Sequence, residues 1–350
     1  MKKILMQRYG DYWRITNDLM FSSPVCCDNQ PDLRQTTKIS LISVAKKLFS
    51  GLGYYHYEKS CIFAHDNTEA LCVRANNKLN MKRKLFCEIS PFTYRLSMEK
   101  EILKRHLKDF FRNTLFAKER TENILPVLVY RHNSLIRRRL GNVNMQLQEN
   151  KATNLALAVT HITGLIIRPG ETFSVWKQIG RTSKRKGYKE GLTIAKGQPS
   201  QGIGGGLCQL SNLIHWMVLH SELTIVEHHH HDGVDLFPDY GRKIPFGTGT
   251  SISYNYIDYR VKNDTNRTYQ LRLWVDDEYL CGELRATEPQ PYTFHIHAEN
   301  EFFSRENGIV YRNGQVYRDI IDRTTGQCID SQLIRTNHAR VMYDYPPCET

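Results

Sequence analysis

An α+β fold, mainly antiparallel β-sheet with a central buried helix after a Gly-rich loop and further helices toward the N-terminus, is predicted for this 350-residue sequence. Three observations lead to this prediction. The segment Ser97–Arg112 has the apolar periodicity of an amphipathic helix. The apolar run Leu207–Leu219 follows a Gly-rich loop directly and is long enough for a buried helix. Short apolar runs separated by turn residues dominate the rest of the chain, and no internal repeat is present.

Two helices are predicted before the strand-rich part. In Ser97–Arg112 the apolar side chains form one stripe, and Ser97 is the expected N-cap. A strand-like run at Leu125–Tyr130 and a basic linker at Arg131–Asn142 come next. The second helix is Asn150–Ile162, for which Asn150 is the expected N-cap.

The remaining segments predict strands and turns. The Gly-rich loop is Gly197–Gly206. A hairpin closes the domain, with strands Tyr292–His297 and Ile309–Ile320 and a turn at Asn313-Gly314. The other predicted strands are Leu165–Ile167, Thr172–Trp176, Leu192–Ala195, Leu223–Val226, Ser251–Tyr256, Tyr259–Lys262 and Gln270–Val275.

Three regions follow from this pattern. Residues 1–80 contain no motif and are interpreted as a poorly specified N-terminal extension, in which Ser40–Phe49 could form a short helix and Tyr54–Tyr57 a strand. Residues 81–330 form the main domain. Residues 331–350 are predicted as a C-terminal tail.

The chain is basic, with a formal net charge of +12 at pH 7. A basic chain favours contact with nucleic acid, anionic lipid or acidic polymers without choosing among them. The basic residues lie in short runs typical of solvated faces, and no recognition helix, zinc finger or RNA-binding pattern is present. We therefore expect no specific nucleic-acid partner, while peripheral contact with a membrane surface through the basic charge stays an alternative.

The cysteines and the N-terminus bear on the compartment. The nine cysteines are irregularly spaced and include no CxxC pair, which argues against a zinc ribbon, a thioredoxin motif or a disulfide framework. The apolar stretch Ile4–Met6 is too short for a signal peptide. No window approaches the roughly 18 apolar residues of a membrane span. The sequence thus predicts a cytoplasmic protein.

The strongest local pattern is the glycine run before the central helix, Gly202–Ser211 (GIGGGLCQLS). Consecutive glycines indicate backbone conformations closed to other residues, or a close approach by another group. N–H groups at a helix start bind anions and can stabilise an oxyanion, and the helix dipole should lower the pKa of the Cys208 thiol. A nucleophile beside such donors is what acyl transfer requires, so Cys208 is the candidate nucleophile.

Other interpretations of this run stay open or are disfavoured. Cys208 could be a small core residue, as free cysteines often are. A P-loop is disfavoured because no Lys-Ser or Lys-Thr pair follows the glycines. A dinucleotide site is disfavoured because Gly202, Gly204 and Gly205 lack its spacing. No cofactor is predicted.

Four consecutive histidines, His228–His231, follow the strand-like run Leu223–Val226. In a strand, His229 and His231 would share one face and the other two histidines the opposite face. One face could supply a general base, with Asp232 or Asp235 orienting it. An alternate-histidine face could also bind zinc, or the cluster could be a polar loop. Since four adjacent histidines match no known zinc spacing, no metal site is assigned.

Together these residues resemble the VanW family of bacterial cell-wall proteins. The resemblance covers roughly residues 83–325, and Lys84–Ser90 (KLFCEIS) and Leu147–Ala152 (LQENKA) are similar in particular to the members found in glycopeptide-resistance clusters. The other matching segments are Arg168–Ser174 (RPGETFS), Gly187-Tyr188, Gly204–Gln209 (GGGLCQ), Glu227 with His229 and His231, and Gly247–Asn263 (GTGTSISYNYIDYRVKN).

The resemblance implies roles for individual residues, since some extracellular members act as L,D-transpeptidases through the cysteine of this motif. Cys208 would be the nucleophile, with His229 or His231 as its partner. The residues implied to contact the substrate or the oxyanion are Gly204, Gly205, Gly206, Gln209, Glu171 and Arg242. For Glu171 and Arg242, surface or structural ion pairs are the favoured alternative.

Two main functional hypotheses follow. The first is cysteine-dependent acyl transfer or hydrolysis on peptidoglycan stem peptides or a cytoplasmic precursor. The second is a non-catalytic accessory protein that binds a cell-wall precursor or a partner in a glycopeptide-resistance context. A metalloenzyme built on His228–His231 is a third hypothesis.

Overall fold

The computed structural model describes residues 85–138, 144–195, 198–230, 233–236, 238–239, 241 and 243–345. The predictions made for Ser40–Phe49 and Tyr54–Tyr57 lie outside these residues. Within them the chain combines antiparallel sheets with a few helices, which confirms the predicted α+β class. The helices of the described part are α1 Phe86–Ile89, α2 Pro91–Phe111, α3 Met145–Thr160, α4 Val175–Ile179 and α5 Cys208–Leu219.

The two long N-terminal helices begin earlier than the sequence predicted. Helix α2 begins after Ser90, whose hydroxyl accepts the N–H of Thr93 at 3.1 Å, and a proline occupies its first position. Helix α3 begins after Asn144, whose side chain accepts the N–H of Gln146 at 2.8 Å. The predicted caps Ser97 and Asn150 are therefore wrong, because an earlier capping residue starts each helix.

The strands form four sheets. One sheet has the order β1-β10-β9-β2, a second β11-β12-β13-β7, a third β3-β8-β6, and β4 pairs with β5. All pairs are antiparallel except β13 with β7. The strands are β1 Val127–Leu135, β2 Leu165–Ile167, β3 Thr172–Ser174, β4 Glu190–Ala195, β5 Gln198–Ile203, β6 Thr224–Glu227, β7 Val234–Asp235, β8 Arg260–Lys262, β9 Tyr269–Val275, β10 Tyr279–Ala286, β11 Tyr292–Glu306, β12 Ile309–Asp322 and β13 Cys328–Val341.

The closing hairpin turns at a different place from the one predicted. Asn313 and Gly314 lie inside β12, paired with β13. The turn is at Asn307 and Gly308, with φ of 50° and 80°. Two successive positive φ angles are what a two-residue type I′ turn requires, so both Asn-Gly pairs fit the rule and the tertiary context selects the first.

Several loop and strand assignments also change. Most of the predicted Gly-rich loop is strand β5, and the predicted basic linker begins as the second half of β1. The predicted strand Ser251–Tyr256 is irregular, with one bridge between Ser253 and Ile257. The predicted tail boundary at residues 330 and 331 falls inside β13.

Helix α5 lies at the centre of the main apolar core, as predicted. Leu210, Leu213, Ile214 and Met217 are at most 1% exposed and pack against β1 and β10. Gly282 on β10 permits this close approach, because a Cβ there would lie 2.9 Å from both Leu213 and Met217. Burial of such large side chains stabilises the fold by roughly 1.5–3 kcal/mol each.

Helix α2 is held by charged groups rather than by its predicted apolar stripe. Of that stripe only Ile102 is buried. Asp109, near the end of α2, binds Arg260 on β8 through two hydrogen bonds, at 2.6 and 3.0 Å. Arg260 also donates to buried Asp258 at 2.8 Å. The helix is therefore tied to the sheet that carries the histidine segment at the end of β6.

Candidate active site

The glycine loop is shaped by close backbone contacts. Gly204 and Gly206 have φ of 78° and 94°, which favour glycine. Gly205 lies against the backbone of Gly191 on β4, so that a Cβ at Gly205 would be 2.7 Å from the Cα of Gly191. Asn154 on α3 fixes the loop, since its amide donates to the Gly205 carbonyl at 2.9 Å. The glycines thus allow β4, α3 and the start of α5 to converge.

Some backbone N–H groups of this loop donate hydrogen bonds to backbone carbonyls, and others do not. Gly204 donates its N–H to Lys189 and Gly205 donates to Gly202, both at 3.0 Å, so neither is available to an oxyanion. Within the described residues, no backbone or side-chain oxygen accepts the N–H groups of residues 206–208. Of the three glycines implied by the resemblance, Gly206 therefore keeps a donor for an anion, together with the two residues after it.

Cys208 is the first residue of α5 and carries a free, partly buried thiol. The backbone N–H groups of Ile252 and of Cys208 itself interact with its sulfur, which favours the thiolate. Burial nevertheless dominates and raises the pKa of the Cys208 thiol above its usual value. The expectation that the helix start lowers this pKa is therefore wrong for this arrangement, because desolvation disfavours the charged sulfur.

Gln209 contacts the chain rather than the cysteine. Its amide nitrogen donates to the carbonyl of Leu135 and to the hydroxyl of Ser134, both at 2.8 Å. The next turn of α5 binds the irregular segment 249–252, where the Asn212 side chain accepts the N–H of Thr250 at 2.6 Å. These contacts fix the start of α5 between β1 and that segment.

His229 lies across the 251–252 segment from Cys208. The N–H of Ser251 donates to the His229 carbonyl at 2.7 Å, whereas the N–H of Ile252 contacts the sulfur. The His229 ring donates from Nε2 to Glu227 at 3.0 Å. Within the described residues no histidine is hydrogen-bonded to the sulfur. His231, the other candidate partner, and Arg242 lie outside the described residues.

On the other face of the histidine segment, His228 packs against His215 of α5 and against His230. The ring centroids of His228 and His230 are 4.1 Å apart, and His228 is equally close to His215. Burial, and then the neighbouring rings, lower the pKa of His215 and bring that of His230 to about 2. In the part of the chain that the structure covers, no three His, Cys, Asp or Glu side chains are placed to hold a metal ion.

Glu171 stabilises a turn of the backbone. Its carboxylate accepts the N–H of Arg168 at 2.8 Å, and its carbonyl accepts the N–H of Asn263 at 2.9 Å. These bonds fix the turn between β2 and β3. They give Glu171 a structural role that requires no contact with a substrate.

Comparison with known protein sequences shows which proteins this chain is related to. The family model described as VanW like protein matches residues 150–285. The vancomycin B-type resistance protein VanW of Enterococcus faecalis is 34% identical over 266 residues, which are 76% of this chain and 96% of that protein. The chain belongs to the VanW family. An uncharacterized protein of Bacillus subtilis, YoaR, is 30% identical over 127 residues, 35% of this chain and 39% of that protein. No solved structure matches.

The family motifs did not reveal every polar group beside the VanW cysteine. Gln148, Lys151 and Asn154 of α3 are buried, although they lie among the apolar positions of that helix. Polar residues at regular spacing on an otherwise apolar stripe were the available signal. The groups that bind Glu227 were also missed, because Arg105 on α2 and Asp258 just before β8 lie far from it in the sequence.

Glu227 of the VanW motif accepts hydrogen bonds from several of these residues. Arg105 on α2 donates to it at 2.7 Å, and the N–H of Asp258 donates at 3.0 Å. Burial acts to raise the pKa of Glu227, but the hydrogen bonds from His229 and Arg105 outweigh it and lower the pKa to about 2. The ionised carboxylate is therefore part of the folded structure.

Replacing Glu227 with glutamine should remove a pH-dependent part of the stability. Because the folded-state pKa is lowered from 4.5 to about 2, this contribution is complete above pH 4.5 and is lost as the pH falls toward 2. We expect the variant to be less stable by about 3 kcal/mol at pH 7, and the difference to vanish near pH 2. Denaturant unfolding from pH 7 to 2 measures it. Glu288→Gln, at an exposed position, should follow the parent chain.

Proposed function

We propose that this VanW-family chain is a cysteine-dependent acyltransferase with Cys208 as nucleophile, acting on peptidoglycan stem peptides or their precursors. One observation carries the proposal. The thiol lies at the first turn of α5, beside the N–H groups of residues 206–208, none of which donates to an oxygen of a described residue. Donors placed near a nucleophile can stabilise the oxyanion of a tetrahedral intermediate.

The proposed reaction has two halves. The Cys208 sulfur loses its proton to a base and attacks a peptide carbonyl, forming a C–S bond while the C–N bond breaks and the leaving amine takes a proton. An acceptor amine or water then attacks the thioester carbonyl, and the sulfur leaves and is reprotonated. His229 is the proposed base, because Glu227 holds its ring in one orientation as in other catalytic triads. His231 is the alternative base.

The biological setting is also a proposal. The Enterococcus faecalis relative is named as a vancomycin resistance protein, which supports a role in glycopeptide resistance. No described helix has the length and apolar character to cross a bilayer. We propose a cytoplasmic location with a peptide-bearing precursor as substrate, and contact with the membrane surface through the basic charge.

A non-catalytic accessory role is the second candidate. The raised pKa of the Cys208 thiol favours it, since less thiolate is present at neutral pH. In this case the site at the start of α5 would bind a cell-wall precursor or a partner without forming a covalent bond. Slow alkylation of Cys208 by iodoacetamide at pH 7, with or without peptide, would support this function over catalysis.

Mass spectrometry of the protein incubated with stem tetrapeptides tests acyl transfer directly. A thioester on Cys208 should add the mass of the peptide minus that of the free amino acid or amine that leaves. Adding an amine acceptor should discharge it. If no adduct forms with either free tetrapeptides or lipid-linked precursors, acyl transfer is ruled out and the accessory role is retained.

A further inference from the structure

Lys151 on α3 is buried over the glycine loop. Its side chain is 8% exposed. A Cβ built at Gly206 would lie 2.7 Å from the Cδ of Lys151, so the lysine stem crosses directly over that glycine. The N–H of Gly206 is the first of the N–H groups of residues 206–208, which no described oxygen accepts. The stem of Lys151 therefore packs on the glycine loop directly before Cys208.

Among the described residues, no anionic group is paired with this amine. Within the described residues, no carboxylate forms an ion pair with Lys151, and the charged groups that shift its pKa are the cations Arg138 and Arg137. Burial, and then Arg138 and Arg137, lower the pKa of Lys151 to about 7. A buried amine surrounded by cations becomes fully charged only when an anion joins it.

A second buried polar group lies one helical turn earlier. Gln148 is 1% exposed, and its Oε1 has no hydrogen-bond partner in the structure. Residues three apart on a helix share a face, so Gln148 and Lys151 lie next to one another. A buried acceptor without a donor costs free energy, which a ligand N–H would recover.

We infer that Lys151 and the N–H groups of residues 206–208 bind the carboxylate of a peptide, while Gln148 accepts the N–H of the adjacent amide. On binding, the lysine nitrogen takes one proton from solvent and no covalent bond forms. The inference rests on the proposed function in placing the ligand at the start of α5, and it holds for acyl transfer and for precursor binding alike.

The polar groups favour a carboxylate over a phosphate. An N-acyl amino acid offers two acceptor oxygens to the amine and the backbone donors, and an N–H donor close by for Gln148. A phosphate diester carries only acceptors and would leave the Gln148 oxygen unpaired. One titratable amine also matches the single charge of a carboxylate.

Other charged groups lie on the elements that pack around Lys151. Their charges also affect the pH at which Lys151 titrates. The Arg137 guanidinium is held by Glu149 in two hydrogen bonds, at 2.6 and 2.9 Å. The charged residues concerned are Arg137 and Arg138 beyond β1, Glu149 on α3, Lys189 and Glu190 at the start of β4, and Arg272 on β9.

Calorimetry with N-acetylalanine tests the inference. At pH 8 most Lys151 is neutral, so binding should take up most of one proton, measured from titrations in two buffers of different ionisation enthalpy. Lys151→Met keeps the apolar stem over Gly206 but removes the amine. It should weaken binding by at least about tenfold and abolish the proton uptake.

Two controls sharpen the result. Lys118→Met, which makes the same change at an exposed lysine, should bind like the parent chain. The uncharged N-acetylalaninamide should bind at least about tenfold more weakly to the parent chain, without proton uptake.

Three outcomes would overturn the inference: no binding by the parent chain, binding without proton uptake, or unchanged affinity in a folded Lys151→Met variant. Proton uptake by the parent chain needs no variant and decides the matter even if Lys151→Met misfolds. A thioester adduct without carboxylate binding would sink this inference alone. Carboxylate binding without an adduct would sink acyl transfer alone.

Discussion

Replacing Cys208 with alanine should abolish the covalent adduct with stem peptides and leave the fold intact. The substitution removes the sulfur but none of the hydrogen bonds by which Gln209 and Asn212 fix the start of α5. Since the side chain is small and partly buried, we expect a loss of about 1 kcal/mol or less in stability. Intact-protein mass spectrometry and thermal unfolding measure the two effects.

Cys328→Ala is the matched control for this variant. Cys328 is exposed and free, so it reports on adventitious reaction of an accessible thiol. That variant should form the adduct to the same extent as the parent chain. An equal amount of adduct on Cys208→Ala would show that the peptide reacts elsewhere and would remove Cys208 from the mechanism.

Replacing Gly205 with alanine should destabilise the protein by about 3 kcal/mol and weaken the site with it. The new methyl group would lie 2.7 Å from the Cα of Gly191 and closer still to its carbonyl group. Because these are backbone atoms, relief requires β4 to separate from the glycine loop. That shift would stretch the bond between Asn154 and the Gly205 carbonyl and move the free donors of residues 206–208.

Gly249→Ala provides the comparison for this overpacking. A Cβ at Gly249 would meet nothing closer than the Asn212 side-chain oxygen at 3.9 Å, and its backbone φ is ordinary. We expect a change within about 0.5 kcal/mol. Denaturant unfolding of both variants measures the difference. Equal stability of the two alanine variants would contradict the contact between Gly205 and Gly191.

The sequence sufficed for the local features of the fold. The apolar run after the glycines predicted α5 to within one residue of its start, because periodicity and a glycine start are both local signals. Several strands were placed for the same reason. The hairpin turn was misplaced because Asn307-Gly308 and Asn313-Gly314 satisfy the same local rule, and only the pairing of β12 with β13 separates them.

The surroundings of the thiol depend on contacts that no local pattern contains. The helix start alone indicates a lowered pKa for Cys208, whereas burial by distant segments raises it. The bond to its sulfur comes from Ile252, and the lysine over the loop comes from α3. Sequence motifs could therefore nominate the cysteine but could not give its protonation or its neighbours.

The ion pairs of α2 set a lower limit on the unit that can fold. Residues 150–285 carry the family match, yet Arg105 and Asp109, which bind Glu227 and Arg260, lie well before them. A chain trimmed to the matched residues would remove Arg105 from Glu227 and Asp109 from Arg260, which would leave Glu227 to His229 and Arg260 and leave Arg260 to Asp258 and Glu227, at a cost of several kcal/mol. Expression trials and evolutionary comparisons should therefore begin no later than the cap of α2 at Ser90.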